Sequence, residues 1–367
     1  MKKILFIFFL LAPFVLQAQY YLIAGTYTSG KSEGIYVYRF NAETAENSFV
    51  SSINTTNPSF VAISPGEKYI YAVNENADSL HNGGTVTSFS FDKTTGTLKK
   101  INEQRSGGNH PCYVEIDKTG QWIFTGNYSS GSVGVLHVNN NGVIDSLSQL
   151  IKHIGSGPNL QRQQSPHVHA TVISADNKYL FVPDLGTDKL VSYKFKNGLL
   201  EKKAEGTSLP GSGPRHLSFS ADQKFAYLME EMSGTVVCYK IKNGKLRFIQ
   251  RSNAQLQYFT GVTGSADIHV SPDGNFLYCS NRGDANNIAI FSVNKRSGKL
   301  ALVGHQSVLG KKPRNFNFDP SGNFLLVANQ DSDEIVIFKI DKASGLLTDT
   351  GKRIMIPNPV CIKWMHM

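Results

Sequence analysis

The stretch PRNFNFDPSGNFLLVANQ (313–330) decides how this chain folds. It runs from a proline through a short alternating apolar segment to a DPSG turn. A second apolar segment then ends in Asn-Gln. Alternation with a period of two, interrupted by a Pro/Gly turn, predicts two antiparallel strands joined by a tight connection. Five other segments follow the same plan: PSFVAISPGEKYIYAVNE (58–75), PCYVEIDKTGQWIFTGNY (111–128), PHVHATVISADNKYLFVPDL (166–185), PRHLSFSADQKFAYLMEE (214–231) and SADIHVSPDGNFLYCSNR (265–282).

Aligned on positions 58, 111, 168, 214, 265 and 313, the copies recur at intervals of 53, 57, 46, 51 and 48 residues. The third copy has two extra residues before its first strand, so its anchor is Val168. Two more strand-like runs follow each copy, such as GTVTSFSF (84–91) and LKKINEQ (98–104). Four strands in about 50 residues make one propeller blade. The C-terminal PNPVCIKWM (357–365) resembles a first strand only, and YYLIAGTYT (20–28), GIYVYRF (34–40) and FVSSIN (49–54) supply the other three. The prediction is an all-β, seven-bladed propeller whose last blade is closed by N- and C-terminal strands, which leaves no exposed sheet edge at the seam.

Residues 1–18 read separately. Lys2 and Lys3 precede an apolar run from Ile4 to Leu16 that contains Pro13, and Ala18 closes the segment. This is the pattern of a secretory signal peptide. The expectation is a single domain over 19–367, exported to the periplasm and free of the membrane after cleavage. The formal charge of +9 falls to +7 without Lys2 and Lys3, and the remaining basic residues are scattered. That excludes the clustered face used for nucleic acid and leaves a mild field for steering a small anion. Cys112, Cys238, Cys279 and Cys361 lack metal-ligand spacing and lie in strand-like runs, so buried free thiols are expected. Neither a metal nor a cofactor is expected.

The repeat also serves as an internal control. The residue after each anchor is Ser59, Cys112, His169, Arg215, Ala266 and Arg314, with Asn358 assigned to the split blade. The residue ending the second strand is Glu75, Tyr128, Leu185, Glu231, Arg282 and Gln330. His169, Arg215, Glu231 and Arg282 fall on three successive blades and are expected to converge at the channel mouth. A carboxylate and an imidazole can exchange protons or activate water. Two guanidiniums can hold an anion and stabilise an oxyanion. The plainer alternative is an Arg215–Glu231 ion pair that only ties strands together. Arg314, His167 and Glu230 are further candidates for binding substrate. The strand-end residues Asn74, Asn127, Asp184, Glu230, Asn281 and Asn329 read as turn residues satisfying backbone groups, and His216 and His269 as structural histidines.

At SPHVHA (165–170), LGTDKL (185–190), GSGPRHL (211–217), ADIHVSPDG (266–274), SNRGD (280–284), PRNF (313–316) and VANQDSD (327–333), the chain resembles the seven-bladed propeller lactonases. That family includes cycloisomerase-type 6-phosphogluconolactonases and fungal carboxymuconate lactonizing enzymes. The resemblance implies a catalytic histidine, two arginines and a glutamate, matching His169, Arg215, Arg282 and Glu231. It also implies Asn where this chain has Glu230, a second carboxylate expected to raise one of the two pKa values. The implied function is hydrolysis of a sugar-acid lactone. A muconate-type cycloisomerase and a non-catalytic exported ligand-binding propeller are the alternatives.

Overall fold

The computed structural model describes residues 19–77 and 83–367; the signal peptide read at 1–18 lies outside them. Seven four-stranded antiparallel sheets form a closed ring. The closing sheet runs in the order Pro359–His366, Gln19–Thr26, Gly34–Asn41, Asn47–Asn54, so the C-terminus supplies its inner strand and the N-terminus the other three. Side chains of neighbouring sheets interdigitate. Leu22, Tyr38 and Phe40 of the closing blade pack on Phe324, Leu326 and Ile335 of the blade before it. Apart from strands, the described residues contain one 3-10 turn, Gln330–Ser332.

The repeated turn between first and second strands has a common chemistry. Ser64, Asp117, Ser174, Ser220, Ser271 and Asp319 each accept a hydrogen bond from the backbone N–H five residues on. Three residues after each of them the chain turns left-handed, at Glu67, Gly120, Asn177, Gln223, Gly274 and Gly322. Glycine and asparagine tolerate that conformation best, which explains the turn composition seen in the sequence. The expectation for the strand ends holds except at Glu230, whose carboxylate pairs with the side chains of Ser233, Thr235 and Arg251. Asn74, Asn127, Asn281 and Asn329 each donate to a loop carbonyl, and Asp184 accepts from the backbone N–H groups of His167, Gly186 and Thr187.

One irregularity positions the site. In five blades the pairing register slips immediately after the anchor: between Pro111 and Tyr113, Pro214 and His216, Ser265 and Ile268, Pro313 and Asn315, and opposite Gly25/Thr26 in the closing blade. Such a β-bulge leaves its extra residue unpaired and re-aims that side chain. In this ring the re-aimed residues enter the channel mouth. In the third copy Val168 bridges to Asp184 and the regular inner strand is reduced to Val172–Ile173. The split blade corrects the expectation. Asn358 has φ 46 and its carbonyl receives the Tyr27 N–H, as the Asn57 carbonyl receives that of Glu75. The anchor is therefore Pro359, the bulged residue is Val360, and Tyr27 completes the strand-end series.

Candidate active site

Glu231 is the centre of the mouth. It sits just past the second strand Phe225–Glu230, only 6 % exposed, and its backbone N–H is held by the Gly213 carbonyl. Oε2 is bound by Arg215 Nε at 2.9 Å and Arg282 Nη2 at 3.0 Å, and Oε1 by Arg162 Nη2 at 2.7 Å. Burial pushes the carboxyl pKa up, but Arg282, Arg215 and Arg162 outweigh it and hold the group down at about 2. Arg215 is fully buried and also donates Nη1 to the Ala266 carbonyl at 2.7 Å. Arg282 donates to the Gly264 carbonyl at 2.7 Å, and burial brings its pKa down to about 10.

His169 completes the expected quartet. Its Nε2 lies 4.0 Å from Glu231 Oε2, beyond a hydrogen bond, and its Nδ1 faces Cys112 Sγ at 3.6 Å. Burial, then the charge of Arg215, keeps the imidazole pKa well below its ordinary value. His169 is therefore neutral and makes no ion pair with Glu231. Burial likewise pushes the Cys112 thiol up, so it stays protonated. All four cysteines are free and buried, as the sequence indicated.

The floor is a closed polar network. Asp267 joins His216 at 2.7 Å and His269 at 2.9 Å, and also accepts from Asn315 and from the Phe316 N–H. Phe60 and Tyr113 stack 4.0 Å apart and present their rings to His216. His216 and His269 are thus satisfied by Asp267 and act as structure. Above, a cleft of about 430 Å³ opens between Glu231, Arg162, Arg282, Lys311 and Lys312.

The other candidates separate. His167 reaches the wall of the site, stacked on Tyr128 with centroids 4.4 Å apart and with Nδ1 at 2.9 Å from the Tyr128 carbonyl oxygen. Arg314 enters the mouth from the blade before the seam. Glu230 does not reach the mouth. Successive residues of an extended chain point to opposite sides, and Glu230 is directed outward within its own blade. There it is fully buried, paired with Arg251 Nη2 at 3.1 Å, and bonded by Thr235. The two carboxylates do not share a site, and Glu231 is shifted down rather than up. Sequence reasoning missed Arg162, Tyr27 and Glu75. Arg162 lies in an irregular inter-blade loop with no counterpart in the other copies. Glu75 was visible in the strand-end series, where a carboxylate is as exceptional as at position 231.

Fold and site together define a seven-bladed propeller with a buried carboxylate, a neutral imidazole and converging guanidiniums at one end of its channel. The chain belongs to the lactonase family of 7-bladed beta-propellers, whose model matches residues 21–364. It is 39 % identical over 343 residues to a 6-phosphogluconolactonase of Formosa agariphila, covering 91 % of this chain and 96 % of that one. It is 37 % identical to a 6-phosphogluconolactonase of Bacillus subtilis, covering 93 % and 97 %. Among solved structures, the periplasmic gluconolactonase of Pseudomonas aeruginosa superposes with a TM-score of 0.89 at 38 % identity, covering 94 % of this chain and 99 % of that one.

Proposed function

We propose that this protein is a metal-independent lactonase that opens a sugar-acid lactone of the 6-phosphogluconolactone type. The observation that carries this reading is the convergence of His169, Arg215, Glu231 and Arg282 in one buried mouth. Their sequence positions alone allowed His169 and Glu231 to exchange roles; the ionisation states favour one assignment. Glu231 is ionised and has no proton to donate at the outset, so we assign it the role of base toward water, and the neutral imidazole of His169 is assigned to orienting the water or relaying a proton. Water oxygen bonds to the lactone carbonyl carbon while Glu231 takes its proton. The carbonyl electrons move onto oxygen, where Arg215 and Arg282 stabilise the charge. Collapse of that oxyanion breaks the ring C–O bond, and the proton held by Glu231 passes to the leaving ring oxygen. His169, 4.0 Å from Glu231, orients the water or relays the proton. As the arginines turn toward the oxyanion, their hold on Glu231 weakens and its basicity rises.

Export to the periplasm is part of the proposal. It is supported by the charged and apolar pattern of residues 1–18 and by the likeness to the Pseudomonas periplasmic enzyme. No helix of the described residues is long and apolar enough to cross a membrane. The test is a panel of sugar-acid lactones followed by proton release, with wild type and His169→Gln side by side. Ring opening above the uncatalysed rate, reduced roughly 10²–10⁴-fold in the variant, is the expected result. Opening at the uncatalysed rate with every lactone would refute the enzyme. Tight binding of a sugar acid without turnover would favour a binding protein instead, and ultraviolet loss from a muconate a cycloisomerase.

A further inference from the structure

Three of the mouth arginines are committed to protein acceptors. Arg215 holds Glu231 and the Ala266 carbonyl, Arg282 holds Glu231 and the Gly264 carbonyl, and Arg162 holds Glu231 and Tyr128. Arg314 differs. Its side chain is only 15 % exposed, yet among the described residues its guanidinium makes no hydrogen bond. It lies over the Tyr27 ring, 5.1 Å from the centroid, with Nη2 3.9 Å from Glu75 Oε2. That same Glu75 oxygen accepts the Tyr27 hydroxyl at 2.8 Å and the Ser59 hydroxyl. Stacking on a ring holds a guanidinium by its face and leaves its N–H edge free. Glu75 balances the charge without a direct bond, because its facing oxygen is already engaged by two hydroxyls.

The arrangement around the ring is also telling. Arg314 comes from the last whole blade, Tyr27 from the closing blade, and Ser59 and Glu75 from the first whole blade. These three are adjacent across the seam. His169, Arg215, Glu231 and Arg282 come from the third, fourth and fifth whole blades, on the opposite arc. Buried donors are normally satisfied, and a nearly buried fork that no protein acceptor among the described residues engages is shaped for a ligand that supplies two acceptors.

We propose that Arg314, held in place by Tyr27, Glu75 and Ser59, is the subsite that recognises a second, non-reacting anionic group on the substrate, a phosphate monoester or a carboxylate. This inference rests on the lactonase reading. Arg314 binds that group in bidentate fashion while the reacting carbonyl lies toward Arg215 and Arg282. Glu75, Tyr27 and Ser59 act through Arg314 as positioning residues.

The experiment compares glucono-1,5-lactone with its 6-phosphate and with glucarolactone, whose additional group is a carboxylate. In wild type, the kcat/KM ratio of one anionic lactone to the neutral one is expected to exceed unity, and which of the two is preferred separates phosphate from carboxylate. In Arg314→Gln that ratio is expected to fall about 100-fold, mainly through KM, and in Arg314→Lys about 10-fold, since a point charge lacks the fork. Tyr27→Phe keeps the ring but removes the hydroxyl that fixes Glu75, and should lower the ratio several-fold. A ratio unchanged in all three variants overturns the proposal. Calorimetric binding of 6-phosphogluconate, glucarate and gluconate provides a readout independent of turnover. If wild type opens no lactone, yet 6-phosphogluconate or glucarate binds and the binding is lost in Arg314→Gln, the lactonase reading fails and the subsite stands. If neither binds better than gluconate, the subsite fails.

Discussion

Replacing Glu231 by Gln tests the electrostatic account most directly. The side chain keeps its size but loses the charge that Arg162, Arg215 and Arg282 surround. The folded carboxyl titrates at about 2 against an ordinary value of 4.5. At 1.36 kcal/mol per pKa unit, this corresponds to about 3 kcal/mol of stability at neutral pH. Breaking a buried ion pair by removing one partner typically costs about 3–5 kcal/mol, a consistent figure. With an unfolding entropy of ~2.1 cal/mol/K per residue over roughly 350 residues, a loss of this size lowers Tm by about 4 °C. The sign of the pH dependence follows from the depressed pKa. The contribution is complete above pH 4.5 and is lost as pH falls through the folded value near 2. At pH 3.5 the gap between wild type and Glu231→Gln should therefore have narrowed to about 2 kcal/mol. Thermal unfolding of both proteins at pH 7 and pH 3.5 provides the measurement. A variant as stable as wild type at pH 7, or a gap that widens on acidification, would refute the three-arginine clamp.

The same groups shape the pH–rate profile. With His169 neutral and Glu231 titrating near 2, kcat/KM should show no inflection near pH 6.5 and should decline only as pH approaches the Glu231 pKa; an acid limb at 6–7 abolished by His169→Gln would reassign the base. Arg251→Ala leaves Glu230 buried without its cation and should cost about 3 kcal/mol by denaturant titration. Adding Glu230→Asn should recover most of that loss, because asparagine at this place in four other blades bonds a loop carbonyl; a double variant no better than the single one would contradict the outward placement of Glu230. N-terminal sequencing of protein from the periplasmic fraction should begin at Gln19, and a retained Met1 would disprove cleavage.

How much of the site was legible depended on whether a residue belonged to the repeat. His169, Arg215, Glu231 and Arg282 occupy positions whose counterparts in several other blades carry small or neutral side chains, and they fall on three successive blades, so their chemistry stood out. In five blades, including those of Arg215 and Arg314, a β-bulge after the anchor is the physical reason that position faces the mouth. Glu230 was misjudged because adjacency in sequence was read as adjacency in space, whereas alternation along an extended chain separates neighbours. Asn358 was misjudged by one residue because two prolines, Pro357 and Pro359, both resemble the anchor. Only the left-handed turn at Asn358 selects Pro359.

The sequence by itself determined the seven-bladed ring and its closure by both termini, and singled out the four residues of the candidate site. It could do so because turns and strand alternation are local and recur, so each copy reports on the others. Tertiary structure alone decided the rest. Arg162 reaches Glu231 from a loop outside the repeat, and Glu231 becomes a strong acid because three guanidiniums meet around it. Tyr27, Ser59, Glu75 and Arg314 come together only when the ring closes across its seam. Such charge balances depend on distances between distant segments, and chain order carries no measure of them until the ring has closed.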